Sequence, residues 1–395
     1  MTGALTGLKV LDLSRYIAGP YCGMLLGDMG ADVIKVETPE KGENTRAFVP
    51  RIGDSSVYTM IFNRNKRGMT LNFRSPEGQK VLKELIQSAD VVIENFLPGT
   101  LEKMGCGWEE MRKTNPRLIM TRISGFGASG PYAKEPCFDL IAQAMSGLMD
   151  LTGQPDGPPT MAGSFIADYT TALYATIGIM GALQSREKTG LGQLVETTLL
   201  GSAMSLLVTA IPNYMVLGKQ TKRNGNRDRF VAPSNTFPTK GGDWVIFQAS
   251  TEEKFAFLAA AMGRADLTED PRFATNAARL ENVVELEDII SAWSSTQTTE
   301  AMLAVMSAGR IPGTKVATVE DVVNNPQVAH NEQIIWADQG GHKVPMQGFT
   351  VKFSDTPMQL RHPTPAIGEH TAEVLQDWLD YSAADVDRLQ DSRAV

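Results

Sequence analysis

Two textures of apolar patterning alternate along the chain, short unbroken runs and helical repeats. Leu8-Lys9-Val10-Leu11-Asp12-Leu13 reads as a first strand. Gly19-Pro20 is expected to break it, ahead of a helix over Tyr21–Met29 that stops at Gly30. Ala31–Glu37 is a second, largely apolar strand. Strand, helix and strand within ~40 residues make a βαβ unit, the mark of a parallel sheet covered by helices. The pattern then recurs. Met69–Phe73 is short and extended, and Ser75-Pro76-Glu77 supplies a cap, a first-turn proline and a first-turn acid. Val81, Leu82, Leu85 and Ile86 follow at helical spacing, and Asp90–Phe96 and Leu118–Ile123 read as buried strands. The first half is therefore expected to be an open α/β domain.

After Leu200 the texture changes. Residues 201–218 read as one helix, and Lys222–Arg229 is a basic, glycine-containing connection. Trp244–Phe247 reads as a strand, with helical segments around 251–263 and 282–308. Strand-and-turn character returns near 330, and Ile367–Thr371 leads into a final amphipathic helix. The division expected is a large domain begun by 1–200, a linker helix over 201–224, a small α/β domain over 225–328, and a return to the large domain over 329–395. No internal repeat or low-complexity tract interrupts it.

Composition narrows the chemistry. The 395 residues exceed what one core holds, about 250–300. A net charge of -8 provides no global field for nucleic acid or an anionic membrane, so neither is expected as a partner. Cys22, Cys106 and Cys137 lack CxxC spacing and read as reduced thiols of a cytoplasmic protein. The first ten residues have no basic and apolar leader pattern. Phe165–Ser185 is long and almost uncharged, yet Asp168 and its threonines assign it to a buried helix rather than a membrane span. The four histidines, His330, His342, His362 and His370, all lie near the C-terminus. Neither a Ser-His-Asp triad nor a metal cluster is therefore expected in the first two-thirds of the chain, where carboxylate, hydroxyl, thiol or amine groups must act.

Gly19-Pro20 is not a GxGxxG fingerprint, and no GxxxxGK[ST] occurs. Arg15, Lys35, Arg46, Arg74 and Lys103, with Asn63-Arg64-Asn65-Lys66-Arg67, stand at ends of predicted strands, where open α/β sheets bind ligands. They are candidates for phosphate contact, although a solvated rim is the commoner fate of any single basic residue. Asp168 opens a long uncharged segment. It is either the N-cap of a helix or a nucleophile held at a helix start, and position alone leaves both open.

Many short motifs, in order, resemble class III CoA-transferases. They include Gly7–Leu13, Ala18-Gly19-Pro20, Gly30–Glu37, Asn65-Lys66-Arg67, Ala89–Gly99, Asn115–Leu118 and Ser124–Gly127. Ala142-Gln143, Gly147-Leu148, Asp156–Pro159, Asp168, Arg186–Gly190 and Gly368–Thr371 continue the resemblance, which is dense to about residue 200 and sparse through the middle. It implies a Rossmann-like large domain formed by both chain ends, an inserted smaller domain, and an interlocked homodimer, or a hetero-oligomer with a homologue. It implies an acyl-CoA donor and a carboxylic acid acceptor, with coenzyme A thioester as substrate and no permanently bound cofactor. Asp168 would be the nucleophile, forming first a mixed anhydride and then an aspartyl-CoA thioester. Coenzyme A contacts carried over are Ile17, Ala18, Leu71, Asn72, Phe73, Arg74, Asn95, Phe96, Leu97, Lys103, Cys137, Phe138 and Asp139.

The chain departs from oxalate-using relatives at Ile17, where they have glutamine, and at Thr38, where they have a basic residue. Ala232–Phe237 stands where they have a glycine-rich loop, which implies a different acyl pocket. Arg15, Arg46 and Arg51 are candidates to hold a second carboxylate. Two alternatives accompany the transferase reading. An α-methylacyl-CoA racemase needs a base where Phe138 stands, and a non-catalytic coenzyme A-binding subunit would have no use for Asp168.

Overall fold

The computed structural model describes residues 3–339 and 341–395. Its larger compact unit takes the chain up to Leu148, then Met161–Pro212 and Gln327–Val395. Six short strands lie at its centre: β1 (Lys9–Asp12), β2 (Asp32–Glu37), β3 (Lys66–Thr70), β4 (Val91–Glu94), β5 (Ile119–Ser124) and β6 (Leu194–Thr198). They pair in the order β3-β2-β1-β4-β5-β6, every pair parallel. In the β1 register Val10 lies beside Val33 on one flank and Val91 on the other. Burial on both faces explains the near-continuous apolar runs of the inner strands. β6 lies at the sheet edge with no fully buried residue, so Leu194-Val195-Glu196-Thr197-Thr198 carries no such run and escaped the sequence pattern.

Successive residues of each strand feed two separate cores. Leu11, Ile34, Val36, Val92 and Met120 pack on one face with Val81 and Leu85 of α2 (Pro76–Ser88). Val374, Leu375 and Trp378, near the C-terminus, complete that layer. Val10, Val33, Val91, Ile93 and Ile119 pack on the other face with Leu26 of α1 (Ala18–Asp28) and Ala172, Ala175 and Ile179 of a long helix. The Ser75 cap forms as expected, its hydroxyl accepting the Gly78 N–H at 3.0 Å.

Several expectations are corrected. α1 begins at Ala18 and contains Gly19-Pro20 in its first turn, where proline has no N–H bond to lose. A Cβ on Gly19 would lie 2.2 Å from the Ser14 Cβ. Gly19→Ala is therefore expected to destabilise the protein by about 1–3 kcal/mol, read as a lower denaturant midpoint; an unchanged midpoint would refute that tight contact. β3 begins at Lys66, three residues earlier than the extended stretch expected from Met69. Residues 201–218 are two helices, Leu199–Ser205 and Ala210–Leu217, because Pro212 cannot donate to a carbonyl one turn back. Among the described residues no single helix is long and apolar enough to cross a membrane. The final amphipathic helix is a pair, Thr371–Leu379 and Ala383–Asp391. The long helix at Asp168 is only half buried: Leu173, Tyr174, Ile177 and Met180 are exposed along it.

The smaller unit, Met149–Thr160 with Asn213–Pro326, takes in a segment expected in the large domain. Its antiparallel sheet centres Trp244–Gln248 between Ser234–Pro238 and Gly313–Lys315. Phe237 and Phe247 stack at 4.7 Å in its core. The helical stretch expected over 282–308 divides into Val283–Ser294 and Thr299–Ala308, with the Thr298 hydroxyl capping the second helix.

Candidate active site

The order in which strands are added reverses between β1 and β4. From β1 the chain adds β2 and β3 on one side, then returns to place β4 on the other. Loops leaving such a pair diverge and open a crevice beyond the carboxyl ends of the strands. Residues 16–18 after β1, 95–98 after β4 and 123–125 at the end of β5 line a cavity of about 370 Å³ there. Asp168, Cys137 and Phe138 line the same cavity.

The loop after β1 is held from beneath by a buried ionic network. Lys66 Nζ donates to Asp12 Oδ2 at 2.7 Å, to the Pro20 carbonyl at 2.8 Å and to Asn63 Oδ1 at 3.0 Å. Lys35 donates to the Ser14 carbonyl and lies 3.7 Å from Asp12 Oδ1, which also accepts the Ser14 N–H at 3.0 Å. Asp12 and Lys35 are 0% exposed. Burial alone would raise the Asp12 carboxyl, but Lys35, Lys66 and the bonds from Lys66 and Ser14 outweigh it and hold it at about 2. Burial pushes Lys66 down to about 8 despite the Asp12 charge. Two further contacts complete the loop. Asn95 accepts the Arg15 N–H at 2.8 Å and donates to the Arg15 carbonyl at 2.7 Å, tying the β1 and β4 loops together. Tyr16 sits at φ 67°, a strained conformation for a bulky residue, and donates its N–H to Glu43 at 3.2 Å.

Asp168 is carried by α4 (Ile166–Thr189), where it is the third helical residue. The N-cap reading of Asp168 is therefore corrected. Phe165 holds the cap position without a side-chain bond, and the capping carboxylate comes from Asp139, the first residue of α3 (Asp139–Met145). Asp139 Oδ1 accepts the N–H groups of Ala167 at 2.7 Å and Asp168 at 3.2 Å, and its Oδ2 accepts from Gln143 at 2.5 Å. Gln143 in turn accepts the Ala162 N–H at 3.0 Å. Asp139 is 3% exposed, and these bonds position the start of α4.

Among the described residues, no hydrogen bond or cation engages the Asp168 carboxylate. Burial, then the negative charge of Asp139, pushes it up to about 7. Burial, then the charges of Asp168 and Asp139, push the Cys137 thiol up to about 11, which keeps it protonated. A carboxylate poised near neutrality at a helix start is a basic nucleophile that is still ionised for much of its time.

The structure brings Ile17, Ala18, Asn95, Phe96, Leu97, Cys137 and Phe138 to the Asp168 cavity. The other positions lie outside it. Leu71 is 0% exposed in the core, and Asn72 accepts the Arg74 N–H at 3.1 Å. Phe73 meets the Phe96 ring edge-on at 6.1 Å, and the Arg15 guanidinium lies 5.3 Å from the same Phe96 ring. Arg74 and Lys103 are exposed. Several basic residues expected on a rim are instead in ion pairs: Lys35 and Lys66 with Asp12, Arg46 with Glu37, Arg64 with Asp28, and Arg67 with Asp32. Tyr16, Gly125 and Glu135 also line the cavity and were not anticipated. A glycine at the carboxyl end of a strand was the available signal for Gly125, where a Cβ would lie 2.3 Å from the Cys137 Cβ. Nothing local marked Tyr16 or Glu135.

Comparison with known proteins supplies the family. A family model described as CoA-transferase family III matches residues 5–371. The chain is 39% identical over 393 residues to succinyl-CoA–D-citramalate CoA-transferase of Chloroflexus aurantiacus, covering 99% of this chain and 98% of that protein. It is 38% identical over 396 residues to the beta subunit of succinyl-CoA–L-malate CoA-transferase of the same organism, with coverage of 99% and 98%. The crystal structure of a CAIB/BAIF family protein from Brucella suis superposes with a TM-score of 0.88 at 37% identity, over 96% of this chain and 100% of that one.

Proposed function

The chain belongs to CoA-transferase family III, and we propose that it moves coenzyme A from an acyl-CoA donor to a carboxylic acid through covalent states on Asp168. One observation carries this reading: an unpaired carboxylate, lifted towards neutrality, faces the cavity at the switch point of the sheet.

The Asp168 carboxylate attacks the thioester carbonyl, the C–S bond breaks, and coenzyme A leaves as thiolate. The thiolate then attacks the aspartyl carbonyl of the mixed anhydride and expels the donor acid. The acceptor carboxylate attacks the resulting aspartyl-CoA thioester and releases the thiolate again. A last attack, on the acceptor-derived carbonyl, yields the new acyl-CoA and restores Asp168. Each step exchanges one anion for another, so no proton needs to move and no histidine base is required. The α4 N-terminus, held by Asp139, favours negative charge as it develops on Asp168.

In this reading Ile17, Ala18, Asn95, Phe96 and Leu97 flank the pantetheine, and the exposed cations Arg74 and Lys103 meet phosphates. The printed names of the two relatives favour succinyl-CoA as donor and a dicarboxylic acid as acceptor. A homodimer belongs to the same proposal, supported by the exposed apolar face of α4 at Leu173, Tyr174, Ile177 and Met180. So does a cytoplasmic location, supported by three free thiols. The racemase alternative is disfavoured because no histidine lines the cavity among the described residues.

The test is mass spectrometry after incubation with succinyl-CoA and hydroxylamine. A hydroxamate or coenzyme A adduct on the peptide containing Asp168 is expected. No adduct with any donor, together with deuterium uptake at the acyl α-carbon, would establish racemase chemistry instead.

A further inference from the structure

The loop that leaves β1 holds one residue in a conformation its side chain disfavours. Tyr16, at φ 67°, lines the Asp168 cavity. The other non-glycine residues with positive φ among the described residues are all polar or charged, and none of them lines that cavity. A bulky aromatic residue is rare there, because its Cβ crowds a backbone that glycine would adopt freely. Three contacts keep the loop in this shape. The Ser14 N–H donates to Asp12 at 3.0 Å, Asn95 accepts the Arg15 N–H at 2.8 Å, and Glu43 accepts the Tyr16 N–H at 3.2 Å. Strain persists where the surroundings over-determine it, and it gathers where a side chain must be held in one place.

The place is beside a second aromatic ring. Tyr16 meets Phe138 edge-on, with centroids 5.4 Å apart and the planes at 79°. Phe138 lines the same cavity as Asp168 and is 54% exposed, a large apolar surface left open there. The turn that carries it is pressed against the end of β5, where a Cβ on Gly125 would lie 2.3 Å from the Cys137 Cβ. Two segments remote in sequence are thus each forced close to bring these rings together.

The covalent states of Asp168 give such a wall a purpose. The mixed anhydride and the aspartyl-CoA thioester are both acyl donors that water can attack. Water adds to the acyl carbonyl, the C–O or C–S bond breaks, and the departing group takes up the proton, so the acyl group is lost as free acid. The acceptor carboxylate is far scarcer than water, and transfer therefore requires a site from which water is kept out. Resting on the transferase reading above, we propose that Tyr16 and Phe138 form an aromatic wall that keeps water off the acyl groups carried by Asp168 and so commits them to the acceptor acid.

The test compares loss with transfer. Hydrolysis is read as coenzyme A thiol released from succinyl-CoA without acceptor, and transfer as labelled succinate entering succinyl-CoA. Tyr16→Gly relieves the backbone and Phe138→Ala alters an exposed side chain, so thermal unfolding should find both variants folded. In each, the ratio of hydrolysis to transfer should rise about tenfold or more. Tyr16→Phe keeps the ring and should restore the parent ratio. Adding Asp168→Ala to Tyr16→Gly should abolish the extra hydrolysis, because the water attacks groups that Asp168 carries. A ratio within about twofold of the parent in both variants, extra hydrolysis that survives Asp168→Ala, or a Tyr16→Phe ratio as high as that of Tyr16→Gly would overturn the proposal. A parent protein that moves no label would instead mark the failure of the transferase reading, and the wall would fall with it.

Discussion

Asp168→Ala is expected to reduce coenzyme A exchange by more than about 10³-fold while coenzyme A affinity stays within about threefold. The reason is local. The other lining groups are poorer candidates: Cys137 is held protonated with its thiol at about 11, Glu135 is exposed to solvent, and no histidine lines the walls among the described residues. Turnover of the variant within tenfold of the parent would remove Asp168 from the mechanism. The pH profile gives a second reading. Only ionised Asp168 attacks, so the rate should rise with pH through about 7 and level off above it. Asp139→Asn removes the neighbouring charge and should move that rise to lower pH. A purely structural role for Asp139 would lower the rate without moving the midpoint. Stability follows with the opposite sense. Between its ordinary value of 3.8 and about 7, Asp168 binds its proton more tightly folded than unfolded. Its contribution therefore falls as pH rises through that window. Asp168→Asn should accordingly raise the melting temperature at pH 8 by a few degrees, roughly, and by much less at pH 4.

The second large effect concerns the network under the site loop. Asp12→Ala should destabilise the protein by about 3–5 kcal/mol at pH 7, because it leaves two fully buried lysines without their counter-charge. A loss below about 1 kcal/mol would mean that the network contributes no more than a surface pair. Its pH dependence has two limbs. Asp12, held at about 2, contributes stability above its ordinary 3.8 that is lost as pH falls towards 2. Lys66 is pushed down to about 8, so between 8 and its ordinary 10.5 the folded state holds fewer protons than the unfolded. Its contribution should rise with pH across that interval, and the deficit of the Asp12 variant should shrink there.

How far the sequence could be read depended on whether each signal was local. The inner strands, the Ser75 cap and the stop of α1 were legible because apolar runs, capping hydroxyls and glycine act within a few residues of themselves. The N-terminal boundary of α1 was missed because Gly19-Pro20 reads as a break unless the Ser14 contact is known. The half-buried face of α4 was missed for a related reason: an apolar side chain reads alike whether it is covered by the core or exposed.

By itself the sequence determined the parallel α/β plan, the family, and Asp168 as the residue to watch, since these rest on ordered motifs and on one carboxylate in an uncharged stretch. The tertiary structure alone decided which charges are free and which are consumed. Lys35, Arg46, Arg64 and Lys66 lie among predicted strand ends in sequence, yet each is paired with an acid from another part of the chain, Lys35 and Lys66 sharing Asp12. The same holds for the site. Asp139 caps a helix that begins 27 residues later, and its charge lifts Asp168 only because the two carboxylates meet in low dielectric. Ion pairing and desolvation depend on distances of a few ångströms between segments remote in sequence, and only the folded chain sets those distances.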